Sequence, residues 1–197
     1  GLNNDFYSNR YYKNTELAHK YLNEYKKIND LENISLDLTT DAQYLDIFEF
    51  IQSELKSLGI DLKISITPPS ILRQGKATGK FNIFRASWIA DYANPENYFS
   101  LFYSKNHTPY GPNYTFFQNE EYDKLYEQTL SLNKKDELNK IYEKLEEIIN
   151  EFSPIIPLYY DMSVRLKQKN IFGLTNNPVN LRAVQTVYKK NSVRCRR

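Results

Sequence analysis

Few residues of this 197-residue sequence are of a type and spacing that could do covalent chemistry. A metal site needs several His, Cys, Asp or Glu within reach of one ion. The two histidines, His19 and His107, stand far apart, and neither has a ligand partner nearby in the sequence. His19 falls on a predicted helix and reads as a surface residue. No HExxH, GxSxG, GxGxxG or phosphate-loop pattern is present. Glu120-Glu121 and Glu146-Glu147 are carboxylate pairs on predicted helices. Acidic residues at a helix start complement the macrodipole, which accounts for the first pair. Asp161 follows two tyrosines and reads as a turn residue. We therefore expect no catalytic residue, no metal ligands and no cofactor.

One segment suits recognition. It reads Arg85-Ala86-Ser87-Trp88-Ile89-Ala90-Asp91-Tyr92-Ala93-Asn94-Pro95-Glu96-Asn97-Tyr98-Phe99. The chain's single tryptophan, an Arg and an Asp stand at the end of a strand predicted over 81–88. In open α/β sheets, ligands bind beyond the carboxyl ends of strands. Arg85 and Ser87 are two apart and would share a strand face. Trp88 on its own reads first as core, and Asp91 equally as a turn cap or a ligand contact. Together they form a candidate polar edge, with no ligand identity attached.

The elements that must position this edge follow from periodicity. Leu17, Tyr21, Leu22, Tyr25 and Ile28 have helical spacing over 14–28. Residues 33–39 alternate, with Ile34, Leu36 and Leu38 on one face, as a half-buried strand does. Thr40 and Gln43 have capping-box spacing and open a helix. Its stripe is Tyr44, Ile47, Phe48, Ile51, Leu55 and Leu58, and Gly59 stands at its C-cap. Ile60, Leu62, Ile64 and Ile66 alternate again. Strand, helix and strand with short connections predict two parallel neighbours. Pro68-Pro69 ends the second strand, and a short helix and loop over 70–79 lead to the strand at 81–88. A short aromatic helix is expected after Pro95, then a loop over 104–118. Two amphipathic helices follow, the first capped by Asn119. The end reads as β-like over 155–160, 162–167 and 182–188, with Pro157 suggesting an edge position.

Composition narrows the function classes. Formal net charge is +2, and no basic stripe interleaves with stacking aromatics, so nucleic acid is not expected. Seventeen tyrosines are many. The plain reading is that each ring packs while its hydroxyl stays in water; the other is an aromatic binding surface. Arg194, Arg196 and Arg197 surround Cys195 in a basic tail, which reads as a solvated end. A lone cysteine builds no disulfide framework. No run of apolar residues is long enough to span a membrane. Gly1 to Asp5 lack the basic and apolar regions of a signal peptide.

The recognition segment resembles the family-5 solute-binding proteins, the oligopeptide-, dipeptide- and nickel-binding components of ABC importers. The likeness rests on Trp88-Ile89-Ala90-Asp91-Tyr92-Ala93-Asn94-Pro95-Glu96-Asn97-Tyr98-Phe99. It extends to Asn119-Glu120-Glu121-Tyr122-Asp123-Lys124-Leu125 and to Pro154-Ile155-Ile156-Pro157-Leu158-Tyr159-Tyr160. With the order of upstream elements, it covers about residues 11 to 188.

The resemblance implies an α/β fold: a class II periplasmic-binding-protein-like lobe, a mixed sheet flanked by helices. It implies that residues 1–170 are the second, C-terminal ligand-binding lobe. Residues 171–197 would be a tail returning toward a missing first lobe, and the signal or lipid anchor would lie in the missing part. The protein would be periplasmic or membrane-anchored outside the cytoplasm. Its partners would be a short peptide and the ABC permease subunits of the inner membrane. Carried over by motif, the main-chain groups of Ser87 and Ile89 would pair with an extended peptide. Asp91 would receive the peptide α-amino group, Arg85 would meet a ligand carboxylate and Trp88 would line a side-chain pocket. Tyr92 completes the expected set.

The loop over 104–118, with Tyr110, Tyr114, Phe116 and Phe117, lies outside the family signature and could reshape the pocket. A second reading keeps the scaffold but changes the ligand to a nickel chelate, haem or an oligosaccharide. A distant third is a hydrolase using Asp91 and Glu96, for which no second group at catalytic spacing is evident.

Overall fold

Ile34–Thr40 forms β1 and Ile60–Ile66 forms β2, and they pair in parallel register from Ile34↔Ile60 to Thr40↔Ile66. The computed structural model describes residues 14–160, 164, 166–174 and 184–190. It divides the chain into two units, Gly1–Ala86 and Ser87–Arg197.

The first unit opens with α1, Thr15–Asn29. The Asn14 side chain accepts the Leu17 amide at 2.9 Å and satisfies one of the orphan donors of the first turn. The helical spacing is as expected, yet Leu17, Tyr21, Tyr25 and Ile28 are all exposed.

β1 is the centre of a three-stranded parallel sheet of order β2-β1-β3, where β3 is Ile83–Phe84. A central strand is covered at its edges as well as its faces. That explains why Leu38, Thr39 and Thr40 are buried in succession rather than alternately. It also corrects the expected helix start. Thr40 is fully buried, and its carbonyl accepts the Thr67 amide at 2.8 Å, so it belongs to the sheet. Asp41 caps instead, accepting the Gln43 amide at 3.1 Å. A short 3-10 turn, Ala42–Tyr44, then runs into α2, Leu45–Ser57. α2 lays Phe48, Ile51 and Leu55 on Leu36, Leu38, Leu62 and Ile64. Each such side chain contributes about 1.5–3 kcal/mol when fully buried. Gly59 takes φ +78°, the left-handed conformation that glycine adopts without a Cβ penalty, and the chain turns directly into β2.

β3 is much shorter than the strand expected over 81–88. α3, Pro69–Ala77, precedes it, and the Phe81 ring sits against Gly75 so closely that a Cβ there would lie 1.9 Å from Phe81 Cε2. Phe81 is thus committed to packing on the helix. Pairing with β1 begins only at Ile83, and the last ladder contact is the Arg85 amide to Thr39 oxygen at 3.2 Å. Ser87 and Trp88 lie beyond the strand, so the expected shared strand face of Arg85 and Ser87 does not form.

The second unit is helical and aromatic. α4, Glu96–Phe99, continues into a 3-10 turn at Ser100–Phe102. α5, Glu120–Thr129, is capped by Asn119, whose side chain accepts the Tyr122 amide at 2.9 Å, as expected. α6 is Lys135–Phe152. Phe99, Phe102, Tyr122, Tyr126, Tyr142, Leu145 and Ile148 form the core. Phe99 stacks on Tyr142 at 5.0 Å between ring centres, and Tyr122 takes edge contacts from Phe102 and Phe117. The buried tyrosines depart from the expectation of wet hydroxyls. Tyr122 donates to the Phe99 carbonyl at 2.7 Å, Tyr142 to Asn94 Oδ1 at 3.2 Å, and Tyr126 to Glu96. A buried hydroxyl needs such a partner.

The loop before α5 is organised by Asn113, which is fully buried. Its amide nitrogen donates to the carbonyls of Tyr103 and Phe117, at 3.1 and 3.0 Å, and its oxygen accepts the Thr115 hydroxyl at 2.9 Å. Phe117 therefore packs on the core, whereas Tyr110 is 96% exposed.

The run 155–160 forms no strand, and Ile156 and Tyr160 are exposed; the prolines at 154 and 157 deny it a continuous ladder. Parts of the strands expected over 162–167 and 182–188 lie outside the described residues. β4, Ile171–Phe172, and β5, Tyr188–Lys189, pair antiparallel in a separate two-stranded sheet. Parallel and antiparallel pairing thus both occur, in different sheets. No described helix is long and apolar enough to cross a membrane.

Candidate functional site

Among the candidate residues, Arg85 lies in the first unit and Ser87, Trp88, Ile89, Asp91 and Tyr92 in the second.

Arg85 follows β3 directly. Its guanidinium carbon sits 3.6 Å from the centre of the Tyr44 ring, a cation–π contact that fixes the plane of the group. The surroundings are cationic. Burial first, and then the charges of Arg85 and Arg73, hold the Lys76 ammonium below its usual range, while Asp41 opposes the shift. A region where like charges depress a lysine favours an incoming anion. Near the carboxyl ends of β1 and β2 there is also a cleft of about 370 Å³, lined by Asp41, Ala42, Gln43, Ile66, Thr67, Pro68 and Pro69. Sequence reading did not single out this cleft or the role of Tyr44, which was assigned to the helix stripe.

In the second unit, residues 87–95 form an irregular loop that α4 terminates. Ser87, Ile89 and Asp91 are exposed, and Trp88 is half-buried. Among the described residues, no hydrogen bond uses the main-chain groups of Ser87 or Ile89. Trp88 and Asp91 are brought together by one atom. Asn97 Oδ1 accepts the Trp88 indole N–H at 2.7 Å and the Asp91 main-chain N–H at 3.3 Å. The Asp91 backbone is thereby held while its carboxylate faces solvent. The Tyr92 hydroxyl donates to Glu96, a bond that raises its phenol above the usual range.

Glu96 also accepts the Tyr126 hydroxyl. Burial, and then this bond, raise Tyr126 well above an ordinary phenol. With a phenol on each of its oxygens, Glu96 is a structural acceptor. Asn97 and Glu96 were read as part of a motif rather than as the anchors of the loop. A small amide at the start of a helix, just after a Trp and an Asp, was the available signal.

The profile of the bacterial extracellular solute-binding proteins, family 5 Middle, matches residues 1–110. The chain belongs to that family. The dipeptide-binding protein DppE of Bacillus subtilis is 31% identical over 169 residues, covering 85% of this chain and 30% of that protein. The solved Escherichia coli murein tripeptide-binding protein MppA matches with a TM-score of 0.70 at 28% identity, over 79% of this chain and 31% of that one. The Helicobacter pylori periplasmic binding protein DppA, solved with the peptide STSA, matches with a TM-score of 0.80 at 23% identity, over 92% and 35%; that likeness is one of fold. The chain spans about a third of the length of these relatives. Its α/β architecture, a parallel sheet flanked by helices, is that of the family-5 binding proteins.

Proposed function

We propose that the chain is the ligand-contacting part of the substrate-binding protein of a peptide-type ABC importer, and that it works by binding without catalysis. The observation that carries this reading is the 87–92 loop. Its backbone is fixed at Asp91, its carboxylate is presented to solvent, and the main-chain groups of Ser87 and Ile89 remain available for pairing. An extended peptide would add to that edge as a strand does, tolerating many side chains. Asp91 receives the peptide α-amino group in a charge-assisted contact that strengthens once water is excluded. Arg85, in its cationic surroundings, takes a ligand carboxylate. Trp88 and Tyr92 line side-chain space.

On this reading residues 1–170 serve as one lobe, residues 171–197 return to another, and the two lobes close by a hinge motion on the ligand. The complete protein acts outside the cytoplasm, in the periplasm or on a membrane anchor, and delivers ligand to permease subunits. Native mass spectrometry of the gently purified complete protein tests the ligand class. A ladder of short peptides on denaturation supports the reading. A single non-peptide mass overturns the ligand while leaving the importer role.

A further inference from the structure

Asn97 is 4% exposed and sits in α4, against the helical core. An amide oxygen has two lone pairs, and both are used: one by the Trp88 indole, one by the Asp91 backbone. These two donors come from opposite ends of a four-residue stretch of irregular loop, so a single atom fixes its curvature. α4 is itself tied to the core. The Phe99 carbonyl accepts Tyr122, Glu96 accepts Tyr126, and the Phe99 ring stacks on Tyr142. For the Trp88 to Asp91 stretch the path from the helical core runs through Asn97, while the Tyr92–Glu96 and Tyr142–Asn94 bonds hold the later part of the loop.

We propose that Asn97 is the positioning residue of the binding loop: it presets the Trp88 ring and the Asp91 backbone from which the carboxylate projects, so that ligand meets an ordered edge. This rests on the reading of the 87–92 loop as ligand-binding. Without the amide oxygen, two N–H groups lose their partner, and the loop must be ordered by the ligand at the cost of affinity. The Trp88 and Asp91 contacts need an acceptor. Asn97→Asp keeps that oxygen and loses only the amide N–H that faces the Tyr92 hydroxyl; Asn97→Ala loses both.

The experiment uses the complete protein and two readouts: the affinity for trialanine, and the Trp88 indole N–H resonance with its solvent exchange, assigned by its loss in Trp88→Phe. We expect Asn97→Ala to weaken trialanine binding about ten- to hundredfold, with faster indole exchange and an upfield shift. Asn97→Asp should restore a slow-exchanging indole and bind within about threefold of wild type. Asn97→Ser, whose hydroxyl is too short to reach both donors, should behave as the alanine variant and replaces it if the latter does not fold. Unchanged affinity in Asn97→Ala overturns the proposal. So does lost affinity with an unchanged indole resonance, which marks a general structural effect. If wild-type protein does not bind trialanine, the peptide reading fails at that probe. The positioning role then stands or falls on the indole exchange of Asn97→Ala alone.

Discussion

Tyr126, on α5, donates its hydroxyl to the carboxylate of Glu96, the first residue of α4. The bond ties the helical core to the element that carries the loop, and it makes stability depend on alkaline pH. The ordinary phenol loses its proton near 10.0, whereas burial and Glu96 hold Tyr126 above that value; burial also raises Tyr122 and Tyr142. Folded pKa values raised above the unfolded ones mean stability that is complete below about pH 10 and lost as pH climbs toward the folded values. Urea midpoints measured from pH 8 to 11 should be flat and then fall. Tyr126→Phe should cost about 1–3 kcal/mol at neutral pH and make the alkaline fall shallower. An equal slope in both proteins would refute the assignment.

Asp91 presents its carboxylate from a backbone that Asn97 holds. In the complete protein, Asp91→Ala should weaken peptides with a free amino terminus by about two orders of magnitude, the worth of a desolvated charge-assisted pair. It should leave N-acetylated peptides little changed. Calorimetry with matched free and acetylated peptides decides this. Equal binding of the two forms to wild type removes Asp91 from the α-amino role.

The Arg85 guanidinium rests on the Tyr44 ring. Tyr44→Leu should free its orientation at a stability cost of about 1 kcal/mol. If Arg85 meets a ligand carboxylate, the same variant should narrow the preference for free over amidated peptide carboxyl ends, and Arg85→Met should abolish it. Retained preference in Arg85→Met would place the carboxylate contact elsewhere.

Asn113 stitches the long loop from within, and its side chain serves two carbonyls and a hydroxyl. Asn113→Ala removes three buried hydrogen bonds, leaving the Tyr103 carbonyl to the Asn106 amide, the Phe117 carbonyl to His107 and the Thr115 hydroxyl to the Phe117 amide, and should destabilise by about 1–3 kcal/mol in urea unfolding. Gly75→Ala places a methyl in the Phe81 ring and should cost about 1–3 kcal/mol. Phe81→Leu in the same chain should recover part of that loss, whereas independent, additive losses would argue against the contact.

Much of the first unit was legible in sequence because its signals are local. Ile34, Leu36 and Leu38, the α2 stripe, Gly59 and Ile60 to Ile66 each announce their element within a few residues. β3 was overestimated because the choice between sheet and helix packing at Phe81 is made by Gly75, and no strand pattern records that. The helix cap moved from Thr40 to Asp41 because Thr40 is claimed by a carbonyl contact with Thr67, far along the chain. The tyrosine count was legible, but the partners of Tyr122, Tyr126 and Tyr142 were not, since they lie 23 to 48 residues away. For the same reason Trp88, Asp91 and Tyr92 could be singled out by type, whereas the oxygen that holds two of them could not.

The constant register of β1 against β2 also sets an order of events during synthesis. Each partner in that pairing is separated by the same short stretch of chain, most of it helix. Loop closure over such a span is fast and entropically cheap. A nascent chain can thus assemble the β1–α2–β2 layer as soon as Ile66 clears the ribosome. β3, too short to nucleate anything, then finds a finished edge waiting.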